Sequence, residues 1–178
     1  MSNLAAVGKP ALDDRGVDFE TLYRSSRDDI YAYVATLLRD RSAAEDVTAA
    51  AFERAYRRLS TYNAGRGSAR GWLFGIARNA ALDELRRRKR HASLETEPVD
   101  DEAQTPIESA DAAIRRTTVR AAIDGLDPRE RELVALKFHG GLTNTELASV
   151  LGISESNAGT MLHRTITKLR KACNETVS

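Results

Sequence analysis

The sequence has little of several residue types, and each scarcity excludes a class of protein. Among its 178 residues are one cysteine, four prolines, one tryptophan and three histidines. The single cysteine, Cys173, has no partner for an internal disulfide, and the scattered His91, His139 and His163 lack the spacing of metal ligands. Every apolar run is shorter than the roughly 20 residues that a membrane-spanning helix needs. We therefore expect a protein of the reducing cytoplasm, with no metal, no cofactor and no membrane insertion.

The N-terminal residues also lack the charged and then apolar order of a secretory signal, so we expect none. Residues 1–17 combine glycine, proline and charge without periodicity, which predicts a mobile N-terminal arm.

The net charge of +1 conceals blocks of one sign. Residues 51–91 hold eleven basic and three acidic residues, and residues 157–171 hold four basic residues and no acidic one. Residues 92–110 lie between them, with six acidic residues and no basic one. Each block makes its own field within a screening length of about 8 to 10 Å. Near-neutrality of the whole chain therefore does not exclude nucleic acid as a partner.

Apolar residues recur at spacings of three and four, which predicts an all-α fold. Asp18 is the expected cap of a first helix, Ser42 with Glu45 is a capping box for a second, and Ser68 can begin a third. The third helix runs into the basic residues 86–90. These helices predict a first small helical domain over residues 18–91.

A second small helical domain is predicted over residues 111–173, followed by a tail at 174–178. Pro98, Pro106 and the acidic residues make 92–110 a flexible acidic linker between the two domains. The signals for later helices are the capping boxes Asp127 with Glu130 and Thr143 with Glu146, and the cap Ser154.

Residues 143–171 have the spacing of a helix-turn-helix, with Gly152 at the turn. The second helix of such a motif enters the major groove, which is about 12 Å wide. An ordinary helical hairpin with a solvated basic face is the alternative. The residues expected to point away from the core are Ser156, Asn157, Thr160, Met161, Arg164 and Lys168.

Aromatic and basic residues also alternate in the first domain. Aromatic faces beside guanidinium groups suit unstacked bases, and each stack is worth roughly 1 to 3 kcal/mol. For Trp72, a place in the core is the stronger interpretation, since it lies on an apolar stripe. The interleaved residues are Tyr56, Tyr62, Trp72, Arg66, Arg70 and Arg78.

From about Phe19 onward the chain resembles bacterial RNA polymerase sigma factors of the small extracytoplasmic-function group of the sigma-70 family. The resemblance rests on four segments in order, which are FETLYRSSRDDIYAYVATLL, AEDVTAAAFERAYRRL, GSARGWLFGIARNAALDELRRRKR and LDPRERELVALKFHGGLTNTELASVLGISESNAGTMLHRTITKLR. It implies that the two domains are sigma domains 2 and 4.

The resemblance implies a factor that binds core RNA polymerase, carries it to promoter DNA and helps melt the duplex, without enzymatic chemistry. Its contacts would be the β′ clamp helices and the β flap. Ala49 and Ala50 replace a Gln-acidic pair of most relatives, so polar contacts are missing there. The residues implied to dock on the clamp helices are Glu45, Asp46, Glu53, Arg54 and Arg57.

In the first domain the resemblance implies recognition and melting of the minus-ten element. Asn79 is the expected base reader, because its amide both donates and accepts. Tyr62 is expected to line a pocket for a flipped base. The implied minus-ten residues are Tyr62, Arg66, Trp72, Arg78, Asn79, Asp83, Arg86, Arg87, Arg88, Lys89 and Arg90.

In the second domain the resemblance implies recognition of the minus-thirty-five element. Arg164 is expected on a guanine or a phosphate, whereas a merely solvated His163 is equally allowed. Gly159 costs about 1 kcal/mol of helix stability relative to alanine, which indicates either close approach of a partner or a drifted position. The implied residues are Ser156, Asn157, Gly159, Thr160, His163, Arg164 and Lys168.

Two alternatives concern the whole protein, and one concerns the linker. An inhibitory anti-sigma factor is an expected partner, and the rival function is a sigma-like interaction protein held mainly in such a regulatory complex. An ordinary helix-turn-helix repressor leaves the first domain unexplained. The acidic linker either threads the polymerase cleft near the template strand or is a plain solvated spacer.

Overall fold

The computed structural model describes residues 16–92 and 109–175, and both ranges are helical without any strand. The predicted all-α fold class is confirmed. The α-helices are α1 (Phe19–Leu38), α2 (Arg41–Arg57), α3 (Ala69–Ala92), α4 (Ala110–Asp124), α5 (Pro128–Phe138), α6 (Asn144–Leu151) and α7 (Glu155–Glu175). Two short 3₁₀ helices, Leu59–Thr61 and Ala64–Arg66, join α2 to α3.

Three predicted features lie mostly outside the described residues: the N-terminal arm, the acidic linker and the end of the tail. Within the described ranges, no helix combines the length and apolar character that crossing a membrane requires.

Capping side chains determine where α5 and α6 begin. In both predicted capping boxes, Asp127 with Glu130 and Thr143 with Glu146, the side chains bond each other's backbone N–H groups. Gly152 ends α6 in the left-handed conformation, with φ of 66°. These contacts satisfy backbone groups that a helix end leaves without intrahelical partners.

The predicted capping box of α2 is wrong. Asp40, not Ser42, is the cap, and its carboxylate accepts from the Ala43 N–H at 3.0 Å. Its extended backbone, with φ of −149° and ψ of 114°, is the conformation that a capping residue needs. Arg88 of α3 binds the same carboxylate at 2.7 Å, a contact that no local pattern reveals.

The apolar core joins α1–α3, which we call the N-terminal helix group, to α4–α7, the C-terminal helix group. Tyr33 and Phe74 of the first group and Leu136 and Leu147 of the second belong to one buried cluster. The helices α1 and α5 pack together, as do α3 and α6. The division of the chain into two domains stays a prediction.

In the C-terminal helix group, burial does not follow the spacing of apolar residues. Ile114 and Val119 of α4 are 63% and 47% exposed, so they form no buried stripe. Met161 of α7 is half-buried against the core rather than pointing away from it. Thr165 is buried instead, and its hydroxyl donates to the Met161 carbonyl at 2.9 Å, which satisfies it.

Candidate functional site

The exposed face of α3 presents Asn79, the predicted base reader, to solvent. The adjacent Arg78 points elsewhere, toward the C-terminal helix group. Its Nε donates to Glu132 Oε1 at 2.6 Å and its Nη2 to Glu132 Oε2 at 3.4 Å. Of these two neighbouring predicted minus-ten residues, Asn79 is therefore accessible to a ligand, whereas Arg78 is bound to a carboxylate.

Tyr62, which lies just before α3, packs against Trp72 in the first turn of that helix. Their ring centroids are 5.5 Å apart with a 53° angle between planes, and Tyr62 is 5% exposed. The Tyr62 hydroxyl donates to the Gly67 carbonyl at 3.0 Å. Both rings are thus part of the protein's own packing in this arrangement, while Arg66 beside them is exposed.

Within the basic residues 86–90, three arginines bind the protein's own carboxylates. Arg87 and Arg88 both bind Glu84, at 2.8 and 2.9 Å. The hydrogen bonds from Arg87 and then Arg88, against the opposing effect of burial, lower the pKa of Glu84 to about 2. Arg86 pairs with Asp83 at 3.0 Å, and Lys89 and Arg90 are exposed at the end of α3.

The predicted polymerase-docking residues lie on the exposed side of α2. Glu45 and Asp46 are exposed, and Glu53 pairs with Arg57 at 2.6 Å along the helix. Arg54 reaches across to Asp83 of α3 at 3.4 Å, which links the predicted docking residues to the predicted minus-ten residues.

A groove of about 430 Å³ lies between α1 and α2, beside these docking residues. Sequence patterns did not reveal it. Its apolar wall consists of Tyr23, Tyr31 and Phe52, and Glu45 also lines the groove. The buried Thr48 hydroxyl, on the same groove, has no hydrogen-bond partner in the structure.

The predicted minus-thirty-five residues share the outer side of α7. Gly159 is half-buried, close to the Asn144 side chain of α6. Lys168 donates to Glu130 Oε2 at 2.7 Å, so one of the predicted phosphate contacts is occupied by a carboxylate. The exposed members are Ser156, Asn157, Thr160, His163, Arg164 and Lys168.

Sequence reasoning missed the contacts that hold the two helix groups together. Ser68 contacts Glu146, and Arg70 donates to the carbonyls of His139 and Gly140 at 3.0 and 2.6 Å. For Glu132 a signal existed, since it lies one helical turn before the buried Leu136 on the core face of α5.

Known protein families match both helix groups. The family model of Sigma-70 region 2 matches residues 22–91, and that of Sigma-70 region 4 matches residues 116–169. Among solved structures, the sigma factor RpoE in complex with the anti-sigma factor NepR from Bartonella quintana is similar in fold. It has a TM-score of 0.74 at 20% identity, over 88% of this chain and 97% of that one.

Relatives of known class are similar in sequence as well. The ECF RNA polymerase sigma factor SigX of Bacillus subtilis is 30% identical over 160 residues, which cover 86% of this chain and 82% of SigX. The ECF RNA polymerase sigma factor BldN of Streptomyces coelicolor is 28% identical over 86% of this chain, and the match spans 59% of BldN. The order of the two matched regions and the similarity to SigX over most of both chains agree: this chain belongs to the ECF RNA polymerase sigma factors.

Proposed function

We propose that this sigma factor binds core RNA polymerase and directs it to promoter DNA, where α3 reads the minus-ten element and α7 the minus-thirty-five element. Its role is recognition, and it carries out no covalent chemistry of its own. Its proposed setting is the cytoplasm, where polymerase and the chromosome are.

One observation carries the assignment of the DNA-facing side. Asn79 is exposed on α3, and the same helix continues into the exposed Lys89 and Arg90. An amide reads base edges by donating and accepting, whereas cations near a helix end attract phosphate without regard to sequence. The two kinds of contact on one helix are what a promoter reader needs.

The polymerase contact is proposed for the outer side of α2. Carboxylates and guanidinium groups alternate there, from Glu45 and Asp46 to Glu53, Arg54 and Arg57. Ala49 is exposed between them and Ala50 is half-exposed, so the interface has an apolar centre with a charged rim, as protein interfaces commonly do.

Run-off transcription with purified core polymerase on genomic fragments tests the proposal. The expected result is transcripts from discrete start sites that appear only when the sigma factor is added. Failure to bind core polymerase, measured by co-elution in gel filtration, contradicts the proposal directly.

An anti-sigma factor is the proposed regulator. The sigma factor RpoE, which is similar in fold, was determined in complex with the anti-sigma factor NepR. CnrH, also similar in fold, was determined in complex with the cytosolic domain of CnrY. The alternative function, an interaction protein held mainly in such a complex, predicts weak run-off activity even at saturating sigma factor. Strong activity from the purified chain rules that alternative out.

A further inference from the structure

The strongest unexplained feature is a buried carboxylate at the contact between the two helix groups. Glu132 of α5 is 7% exposed. It accepts from Arg78 of α3 at 2.6 Å and from the Tyr33 hydroxyl of α1 at 3.2 Å. Burial, together with the Glu132 carboxylate, raises the pKa of Tyr33 well above its ordinary value, so Tyr33 stays a neutral donor.

Further polar contacts surround this one. Arg70 of α3 donates to the carbonyls of His139 and Gly140 just after α5, and it also binds Asp29 of α1 at 2.6 Å. Ser68 contacts Glu146 at the start of α6. Side chains just before and along α3 therefore donate hydrogen bonds to carboxylates and carbonyls of the C-terminal helix group.

Arg39 and Asp124 form a more exposed ion pair across the same contact. Arg39 caps the end of α1, and Asp124 is the last residue of α4. The contact thus extends from the centre at Glu132 to the rim of the molecule.

This packing is incompatible with simultaneous reading of both promoter elements. The minus-ten and minus-thirty-five positions are about 25 base pairs apart, or about 85 Å at 3.4 Å per base pair. In the structure, by contrast, the two helix groups share a core and hydrogen bonds. Residues 93–108, which connect them, reach at most about 55 Å when fully extended, so separation of the groups is sterically possible.

We propose that Glu132 is an internal competitor of promoter DNA, whose carboxylate occupies Arg78 and holds the free sigma factor closed. A carboxylate and a phosphate bind guanidinium through the same parallel N–H···O geometry, so only one of them occupies Arg78 at a time. Opening releases Arg78 beside Asn79 and frees the two helix groups to separate. This inference rests on the proposed function, because the displacing ligand is DNA.

The test uses the full chain and three variants. Glu132→Gln keeps the shape and removes the charge, and Asp124→Asn weakens the exposed pair without touching the core. Asp111→Asn is the matched control, since it removes the same charge from the exposed first turn of α4. Small-angle X-ray scattering gives the radius of gyration, and fluorescence anisotropy gives the affinity for a labelled single-stranded oligonucleotide of mixed sequence.

Both Glu132→Gln and Asp124→Asn are expected to increase the radius of gyration and to tighten DNA binding, whereas the control resembles the wild type. If the open fraction rises from about 10% to about 50%, the apparent Kd falls about fivefold. An unchanged radius in both variants overturns the proposal, as does a larger radius without tighter binding. If Glu132→Gln fails to fold by circular dichroism, Asp124→Asn decides whether the closed contact limits DNA binding, and an unchanged radius or an unchanged affinity in that variant overturns the proposal. The scattering and anisotropy measurements need no polymerase. If the variants show a larger radius and tighter DNA binding while the run-off transcription fails, the proposed function is refuted and the proposal for Glu132 is not.

Discussion

Asn79 is the residue to which we assign the most direct part in sequence-specific recognition. Replacing it by alanine removes the proposed base-edge contact and leaves the helix face otherwise intact, since the side chain is exposed. We expect Asn79→Ala to relax preference at one minus-ten position by about 1 to 3 kcal/mol. Competition binding with single-base promoter variants measures it. Lys89→Ala is the control, expected to weaken all sequences alike, and an unchanged base preference in Asn79→Ala removes the assignment.

A glycine at position 159 has two explanations, close approach of a partner or a drifted position, and one experiment distinguishes them. A Cβ there meets only the Asn144 amide, at an ordinary 3.5 Å. Since the fold does not require glycine, Gly159→Ala is expected to stabilise the chain by about 1 kcal/mol in urea unfolding. Loss of minus-thirty-five binding in this stabler variant indicates close approach of DNA, whereas unchanged binding indicates a drifted position.

Gly152→Ala is the control for that measurement. Its φ of 66° lies in the left-handed region, where an alanine is strained. We expect this variant to be destabilised by about 1 kcal/mol. Destabilisation by Gly159→Ala as well contradicts the interpretation of Gly159.

At the scale of the element, the start of α2 depends on one carboxylate with two partners. Asp40 accepts from the Ala43 N–H and from Arg88. The backbone bond of Ala43 and then the Arg88 guanidinium, against the opposing effect of burial, lower the pKa of Asp40. Asp40 therefore serves α2 as a cap and α3 as an ion-pair partner.

Two substitutions separate these roles. Asp40→Ala removes both and is expected to destabilise the chain by about 1 to 2 kcal/mol. Asp40→Asn keeps a capping oxygen and loses only the charge, so it is expected to retain most of the stability at neutral pH. Urea unfolding measures both variants, and equal destabilisation by the two assigns the whole effect to Arg88 rather than to the cap.

Sequence patterns predicted helices well where the determining contacts are local. The capping boxes at Asp127 and Thr143 lie within four residues, and both are present. For α2, Asp40 and Ser42 are both capping residue types, and the contact with Arg88 that distinguishes Asp40 lies 48 residues away, so the local pattern chose the wrong one. The exposure of Ile114 and the burial of Thr165 depend on how α4 and α7 pack on other helices, which periodicity alone does not specify.

At the scale of the whole molecule, the predicted site residues differ in whether a ligand can reach them in the free chain. Asn79 and Arg164 are exposed as expected, whereas Arg78 is paired with Glu132 and Tyr62 is buried. Resemblance to a family predicts which positions face DNA in a complex. It does not reveal which of them the free chain covers, because that depends on contacts between residues far apart in sequence.

His139 makes the stability of the whole molecule sensitive to pH. It follows α5 at the contact between the helix groups, where its carbonyl accepts from Arg70. Burial lowers the pKa of His139 below its ordinary 6.5, and the Asp29 carboxylate opposes this only in part. Below pH 6.5 the unfolded chain therefore binds more protons at this residue than the folded chain does. The stabilisation is complete above pH 6.5 and declines as the pH falls, until the folded-state imidazole also protonates.

We expect the free energy of unfolding to decrease as the pH falls below 6.5 and this part of the decrease to disappear in His139→Gln. Urea unfolding between about pH 8 and about pH 5.5 measures it, a range above the region in which carboxylates such as Glu84 lose their contribution. His163→Gln, at an exposed position of α7, is the control and is expected to keep the wild-type pH slope. A wild-type slope in His139→Gln means that other groups cause the decline. A flattened slope in His139→Gln alone shows that acidification acts at the turn after α5, where Arg70 connects the two helix groups.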